Sequence, residues 1–270
     1  MSENILAVFS SKKIITGAHK RYFELLKQLA LKGHKINLVS PKKLREPGVN
    51  NIFISEKQSK LPIPNMLWLL FTIIFSLKKI KENCQNLNVI LIFGMTNILS
   101  GILLKKVLRV PLIFGVRSDL LESRRLKIYD SGLKFGFINI ENKFILNIYL
   151  KLFSRLEIFV YKNVDKIVVQ NNYDKNMIIK RYNINSDKLS VIPNNLNVEW
   201  MNSKYNNANN SNQLKNLIFV GALCKRKGVM FLLEAFKKLI AQNKELHLDI
   251  LGDGPKREEV KNYIEANNLS

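Results

Sequence analysis

The stretch ILAVFSSKKIITGAHKRYFELLKQLALKGHKINLV, residues Ile5 to Val39, decides the fold class. ILAVF is a short apolar run with no polar alternation, as expected of a strand buried on both faces. Tyr22, Leu25, Leu26 and Leu29 then fall at i, i+3, i+4 and i+7 and give one apolar helix face. Gly33 stands where that helix should be capped, just before a second apolar run, INLV, at Ile36 to Val39. Strand, helix and strand in this order are the pattern of a parallel sheet covered by helices.

The alternation continues outward from that unit. VILIF (Val89 to Phe93), LIFGV (Leu112 to Val116), KIVVQ (Lys166 to Gln170) and LSVI (Leu189 to Ile192) read as further central strands. Crossovers are expected at Asn97 to Leu108 and from about Leu146 to Asn163. After IPNN, Ile192 to Asn195, the composition shifts, and the Asn- and Ser-rich stretch Asn202 to Asn216 reads as a linker or surface loop. The β/α pattern then restarts. LIFV (Leu217 to Val220) is a strand, Leu232, Leu233, Phe236, Leu239 and Ile240 mark a helix, LDIL (Leu248 to Leu251) is a strand, and Arg257 to Ala266 is a helix. The expected organisation is an α/β domain over 1–196, a linker over 197–216 and the start of a second α/β domain over 217–270. About 75 residues follow Asn195, roughly half of what a domain needs, so this second part is expected to be incomplete.

Composition narrows the function. The 270 residues carry 43 Lys and Arg against 21 Asp and Glu, a formal net charge of +22. With 47% hydrophobic residues the chain is no disordered tail. Two cysteines, Cys84 and Cys224, make neither a disulfide framework nor a structural zinc site. The opening MSENILAVFSSKK lacks the pattern of a signal peptide and reads as a first strand, which points to a reducing cytoplasm. The apolar segment Met66 to Leu77 reaches about 18 Å as a helix, short of the ~30 Å of a bilayer core. It suits a helix buried on a sheet or one that meets a membrane interface.

The positive charge invites nucleic acid as a partner. No helix-turn-helix, zinc-finger or aromatic-basic RNA signature accompanies it, so nucleic acid is not expected. An anionic membrane surface fits better, with apolar contact from Met66 to Leu77 or from the Phe135 to Phe159 region. A solvated basic surface explains the charge as well.

Three glycine-containing loops follow strands and precede helices, where free N–H groups attract anions and glycine lets a ligand approach. In SSKKIITGAHKR, Ser10 to Arg21, Gly17 opens the helix, although a tight turn accounts for one glycine equally well. In VGALCKRKG, Val220 to Gly228, three cations, Lys225, Arg226 and Lys227, crowd a helix start. They oppose the helix dipole, and an anionic ligand explains them more easily than stability does. LGDGPKREE, Leu251 to Glu259, is a strand-end turn in which Pro255 can start a helix. His19, His34 and His247 are poorly spaced for a metal site, so no metal is expected; only His19 is a candidate to line a cleft.

With these landmarks in order, the chain resembles the retaining glycosyltransferases of family 4, whose GT-B architecture has two Rossmann-like domains facing across a cleft. GAHKRYFELLKQLALKGHKINLVSP, Gly17 to Pro41, is similar to the family's opening glycine loop, helix and strand. RVPLIFGVRSDL, Arg109 to Leu120, resembles the strand and active-site loop of the acceptor domain. EIFVYKNVDKIVVQN, Glu157 to Asn171, looks like the helix and strand before the interdomain crossing. IPNN resembles the hinge, with Asn195 in place of a glycine. VGALCKRKGVMFLLEAF and LDILGDGPKREEV are similar to the first two β/α units of the donor domain.

The resemblance implies transfer of a sugar, of hexose type, from a nucleoside-diphosphate sugar to a lipid-linked or glycan acceptor in cell-surface polysaccharide synthesis. With the positive charge it points to a place at the inner face of the membrane, and no metal is required, because fixed cations and helix N-termini can stabilise the charge that develops on a departing diphosphate. The resemblance places Gly17 and Lys227 at the donor diphosphate, and Gly252 and Asp253 near the base. The arginine that often follows the glycine of the first donor-domain strand is replaced by Ala222, and Arg226 is the nearest guanidinium. On the acceptor side, where the family often presents a histidine, the loop offers Arg117, Ser118 and Asp119. The family's pair of donor-binding glutamates, separated by seven residues, would lie beyond Ser270. The inferred function is therefore expected of a fuller donor domain; a catalytically inactive remnant that serves as an interaction module is the first alternative, and a basic nucleic-acid-binding protein the second.

Overall fold

The computed structural model describes residues 2–10, 17–41, 43, 47–54, 65–131, 133–135, 138–140, 142–194, 216–242 and 245–269. The chain divides into two compact units. One comprises Met1–Leu120 and Lys151–Asn202, the other Leu121–Leu150 and Ser203–Ser270.

The first unit is built on a seven-stranded sheet in the order β3-β2-β1-β4-β5-β8-β9, with every neighbouring pair parallel. Its strands are β1 (Asn4–Val8), β2 (Lys35–Ser40), β3 (Val49–Phe53), β4 (Val89–Phe93), β5 (Leu112–Gly115), β8 (Lys166–Val169) and β9 (Leu189–Val191). β1 shows why the apolar runs are continuous. Leu6 and Val8 enter one core while Ile5, Ala7 and Phe9 enter the other, so both faces must be apolar. The larger core is completed by α2 (Asn65–Asn83), α3 (Met95–Leu108), α5 (Lys143–Asn163) and α6 (Asn172–Tyr182), through Leu69, Ile73, Ile98, Ile102, Val160 and Ile178. The opposite face receives α1 (Gly17–Leu31) through Tyr22, Phe23 and Leu26.

The expected helix end is present. Gly33 takes φ +88°, its N–H donates to the Ala30 carbonyl at 2.9 Å, and the N–H of His34 donates to that of Leu29 at 3.1 Å. The strand β3 was not anticipated, because VNNIF carries two asparagines at its centre. Those side chains are satisfied across the sheet. Asn37 donates to Asn4 Oδ1 at 2.7 Å, Asn50 donates to Asn37 Oδ1 at 2.9 Å, and Asn51 donates to Ser40 Oγ at 2.9 Å. The apolar segment expected as a short helix extends to 19 residues as α2. Leu69, Ile73 and Ile80 are buried, as expected of a helix packed on the sheet, while Phe71 and Phe75 face outward. Among the described residues, no helix is long and apolar enough to cross a membrane.

The second unit contains α4 (Leu120–Ser131) past its first residue, the antiparallel pair β6 (Leu133–Phe135) and β7 (Ile138–Ile140), and the start of α5. It also contains the parallel pair β10 (Asn216–Val220) and β11 (His247–Leu251), followed by α7 (Val229–Gln242) and α8 (Arg257–Ala266), respectively. Leu223, Val229, Leu233 and Val260 form its small core. Asn195, expected at the hinge, and nearly all of the expected linker lie outside the described residues.

Candidate functional site

In the first unit, β1 and β4 are neighbours, but the chain leaves β1 toward β2 on one side and β4 toward β5 on the other. Such a reversal opens a crevice at the carboxyl ends of the strands. A cavity of about 240 Å³ lies there, lined among others by Phe9, His19, Phe93, Gly94, Asn97 and Arg117. The Phe9 and His19 rings meet edge to face at 5.0 Å. The Tyr22 hydroxyl donates to the Leu91 carbonyl at 3.3 Å, and burial pushes its pKa up. Asn97 stitches β1 to β4, with Nδ2 donating to the Phe93 carbonyl at 2.9 Å and to the Val8 carbonyl at 3.3 Å. Gly94, at φ +80°, turns the chain from β4 into α3, whose first turn contributes Thr96 and Asn97 to the cavity lining. A helix start at this place favours a negative group.

Arg117 brings a full positive charge to the same cavity. Its guanidinium lies 4.8 Å from the centre of the Phe93 ring, a cation–π contact. Burial first, and then the like charge of Arg21, hold its pKa below the usual guanidinium range. Gly115 is what allows this seat, since a Cβ there would lie 2.0 Å from the Phe93 ring. Arg117 also borders an apolar groove of about 300 Å³, lined by Leu25 and Leu29 of α1 and by residues of β1, β4, β5 and β8.

Of the three loop residues expected on the acceptor side, only Arg117 lines the cavity. Asp119 is held in a fork by Arg181 of α6, with both N–O distances at 2.8 Å. Ser118 is not among the cavity-lining residues. The Arg181 guanidinium lies 5.9 Å from the centre of the Tyr182 ring, and the Tyr182 hydroxyl donates to Glu157 Oε2 at 2.6 Å. Tyr161 donates to the other oxygen of Glu157 at 3.4 Å. Glu157 is 1% exposed, and burial pushes its carboxyl up to about 7 against the lowering effect of the Tyr182 hydrogen bond. The loop after β5 is thus anchored through Asp119 to a buried polar network that the sequence did not disclose. Phe93, Gly94 and Asn97 were also missed as cavity residues. Their signal was present in FGMTN, a glycine directly after a central strand.

The residues expected at the donor are divided between the two units. Gly17 opens α1 in the first unit. Arg226 and Lys227 lie with Lys225 in a separate 3₁₀ turn, Lys225–Lys227, after which Gly228 at φ +70° breaks the chain before α7 begins at Val229. All three cations are exposed at the carboxyl end of β10. Beside them runs the turn after β11. Leu223 N–H donates to the Asp253 carbonyl at 3.0 Å, and Lys256 N–H donates to the Leu223 carbonyl at 2.9 Å. The two loops touch backbone to backbone, and a Cβ on Gly252 would lie 1.8 Å from the Gly221 carbonyl oxygen. Gly252 is therefore required by packing, whatever else it does. Asp253 is largely exposed and accepts from the Gly254 N–H at 2.8 Å. Among the described residues no group of three or more His, Cys, Asp or Glu side chains is placed to hold a metal ion.

Residues 15–200 match the glycosyltransferase family 4 model, and residues 202–270 match that of glycosyl transferases group 1. An uncharacterized glycosyltransferase of Methanocaldococcus jannaschii is 26% identical over 184 residues, which cover 64% of this chain and 40% of the relative. The phosphatidylinositol N-acetylglucosaminyltransferase GPI3 subunit of Saccharomyces cerevisiae is 23% identical over 192 residues, 66% of this chain and 40% of the relative. Among solved structures, Anabaena Alr3699/HepE in complex with UDP-glucose superposes with a TM-score of 0.63 at 11% identity, covering 99% of this chain and 66% of that one. The matched region spans well under half of the curated relatives' length.

Proposed function

Since the chain belongs to glycosyltransferase family 4 and has the GT-B type of fold, we propose that it serves sugar transfer from a nucleoside-diphosphate sugar to a lipid-linked or glycan acceptor. The proposed transfer retains the configuration at the sugar, is of hexosyl type, and serves cell-surface polysaccharide synthesis at the inner face of the membrane. Residues 1–196 are assigned to the acceptor side and 217–270 to the start of the donor side. The observation that carries the reading is the turn Lys225–Lys227, three exposed cations held at a strand's carboxyl end by a glycine-packed pair of loops. Cations so fixed stabilise the charge that develops on a departing diphosphate. Gly17 is assigned to the diphosphate, Gly252 and Asp253 to the nucleotide base, and Arg226 to support Lys227. Arg117 is assigned to the acceptor, with Ser118 and Asp119 as its supporting loop. UDP-glucose bound to Alr3699/HepE and the lipid named in the GPI3 subunit support the donor and acceptor classes.

The test is release of nucleoside diphosphate from a panel of donors, with and without lipid-linked acceptors. Release that depends on an acceptor supports transfer; none with any pair points instead to an interaction module. Turnover is expected to persist in a chelator, and its abolition would bring a metal into the site. Lys227→Ala should weaken binding of the nucleoside diphosphate at least tenfold, about 1.4 kcal/mol, by removing a phosphate contact. A dissociation constant unchanged in titration calorimetry would take Lys227 out of the site.

A further inference from the structure

The outward face of α2 departs from what a solvated helix presents. Leu67, Phe71, Ile74 and Phe75 are 37%, 51%, 41% and 87% exposed. At 100° per residue they fall within one sector, opposite the buried Leu69, Ile73 and Ile80. The helix is therefore apolar on both sides for its first three turns. Lys78 and Lys81 continue the same outward sector in the next turns and are exposed. Glu82 is the one carboxylate on the helix. Beside them, Lys79 donates to the Phe53 carbonyl at 2.7 Å and lies 5.8 Å from its ring, and Lys43 lies 5.9 Å from that ring. Four cations thus gather where the apolar stripe ends.

We infer that this face of α2 is a docking surface for an anionic phospholipid bilayer, with Leu67, Phe71, Ile74 and Phe75 entering the headgroup boundary and the lysines meeting lipid phosphates. A buried protein interface is depleted of lysine at its core, and a second copy of the chain would bring a like-charged patch toward this one. An anionic membrane takes both halves of the stripe together, apolar area by insertion and lysines by attraction to the surface potential. The stripe runs only about 12 Å along the axis, so the helix lies in the interface and does not cross it. The inference deepens the membrane location proposed above but needs neither a donor nor an acceptor, so loss of transferase activity and loss of docking are separate results.

The experiment is co-flotation of the protein with vesicles of phosphatidylcholine alone or containing phosphatidylglycerol. The wild type is expected to bind the anionic vesicles, more weakly as salt rises, and to leave the neutral ones free. Phe71→Ser with Phe75→Ser, and separately Lys78→Glu with Lys81→Glu, should each lower partitioning at least about tenfold. Because these side chains are exposed, the thermal melting of both variants should match the wild type, which excludes unfolding as the cause. Wild-type protein that ignores anionic vesicles overturns the inference. So does a phenylalanine variant that binds undiminished, or a sedimentation profile in which the wild type is a dimer and the Phe71→Ser, Phe75→Ser variant a monomer.

Discussion

Replacing Gly252 by alanine is expected to abolish the ordered pairing of β10 with β11 while leaving the seven-stranded sheet intact. The added methyl would sit 1.8 Å from the Gly221 carbonyl oxygen, and a backbone oxygen cannot rotate aside as a side chain can. Nor is the strand end free to slide, because Gly221 N–H donates to the Leu251 carbonyl at 3.0 Å and Leu223 N–H to that of Asp253 at 3.0 Å. Overpacking that backbone must absorb costs upward of about 3 kcal/mol, against a core of four buried side chains. Amide hydrogen exchange would show protection lost from Asn216–Val220 and His247–Leu251 and kept in Asn4–Val8. Gly33→Ala is the control. Its φ of +88° is strained for alanine, but nothing lies within 4 Å of the new atom, so about 1 kcal/mol is expected. Equal effects of the two substitutions would show that the collision is relieved by a shift of the loops.

The second large effect is a dependence of stability on pH that belongs to Glu157. Its carboxyl is pushed up to about 7 by burial, with Asp119 adding to the shift and Tyr182, Tyr161 and Arg181 opposing it. In the folded protein the group holds its proton to higher pH than in the unfolded chain, where it titrates near 4.5. Its favourable contribution is therefore complete below about 4.5 and is lost as pH rises through about 7. Glu157→Gln keeps a neutral side chain of the same shape at every pH. Denaturant unfolding should accordingly show the variant gaining on the wild type between those limits, by up to roughly 3 kcal/mol. A constant difference between the two proteins across that range would mean that Glu157 is not shifted.

The sequence made the central strands legible because burial on both faces forces unbroken apolar runs, as in ILAVF and VILIF. β3 escaped for the opposite reason, since its asparagines are paid for by partners on β2 that are distant in sequence. The cation turn was visible in VGALCKRKG because charge at such a place has few structural uses. Asp119 could be picked out beside Arg117, but its partner Arg181 lies 62 positions away, and no local pattern links them. Gly252 was noticed for a ligand, while the collision that requires it depends on a strand some 30 positions earlier.

The asparagine chain from Asn4 through Asn37 to Asn50 has a consequence for how the sheet finds its alignment. Apolar side chains tolerate a neighbour shifted along the strand, and in β1 and β2, apolar on both faces, hydrophobicity alone discriminates poorly between alignments. Asn37 is wholly buried, and its amide is satisfied by Asn50 directly opposite on β3 and by Asn4 on β1, which faces Lys35 while Asn37 faces Leu6. A displaced strand would strand a polar amide in a dry interior, which costs about 1 to 3 kcal/mol. These three residues therefore act as a vernier, penalising misaligned pairings more than they stabilise the correct one.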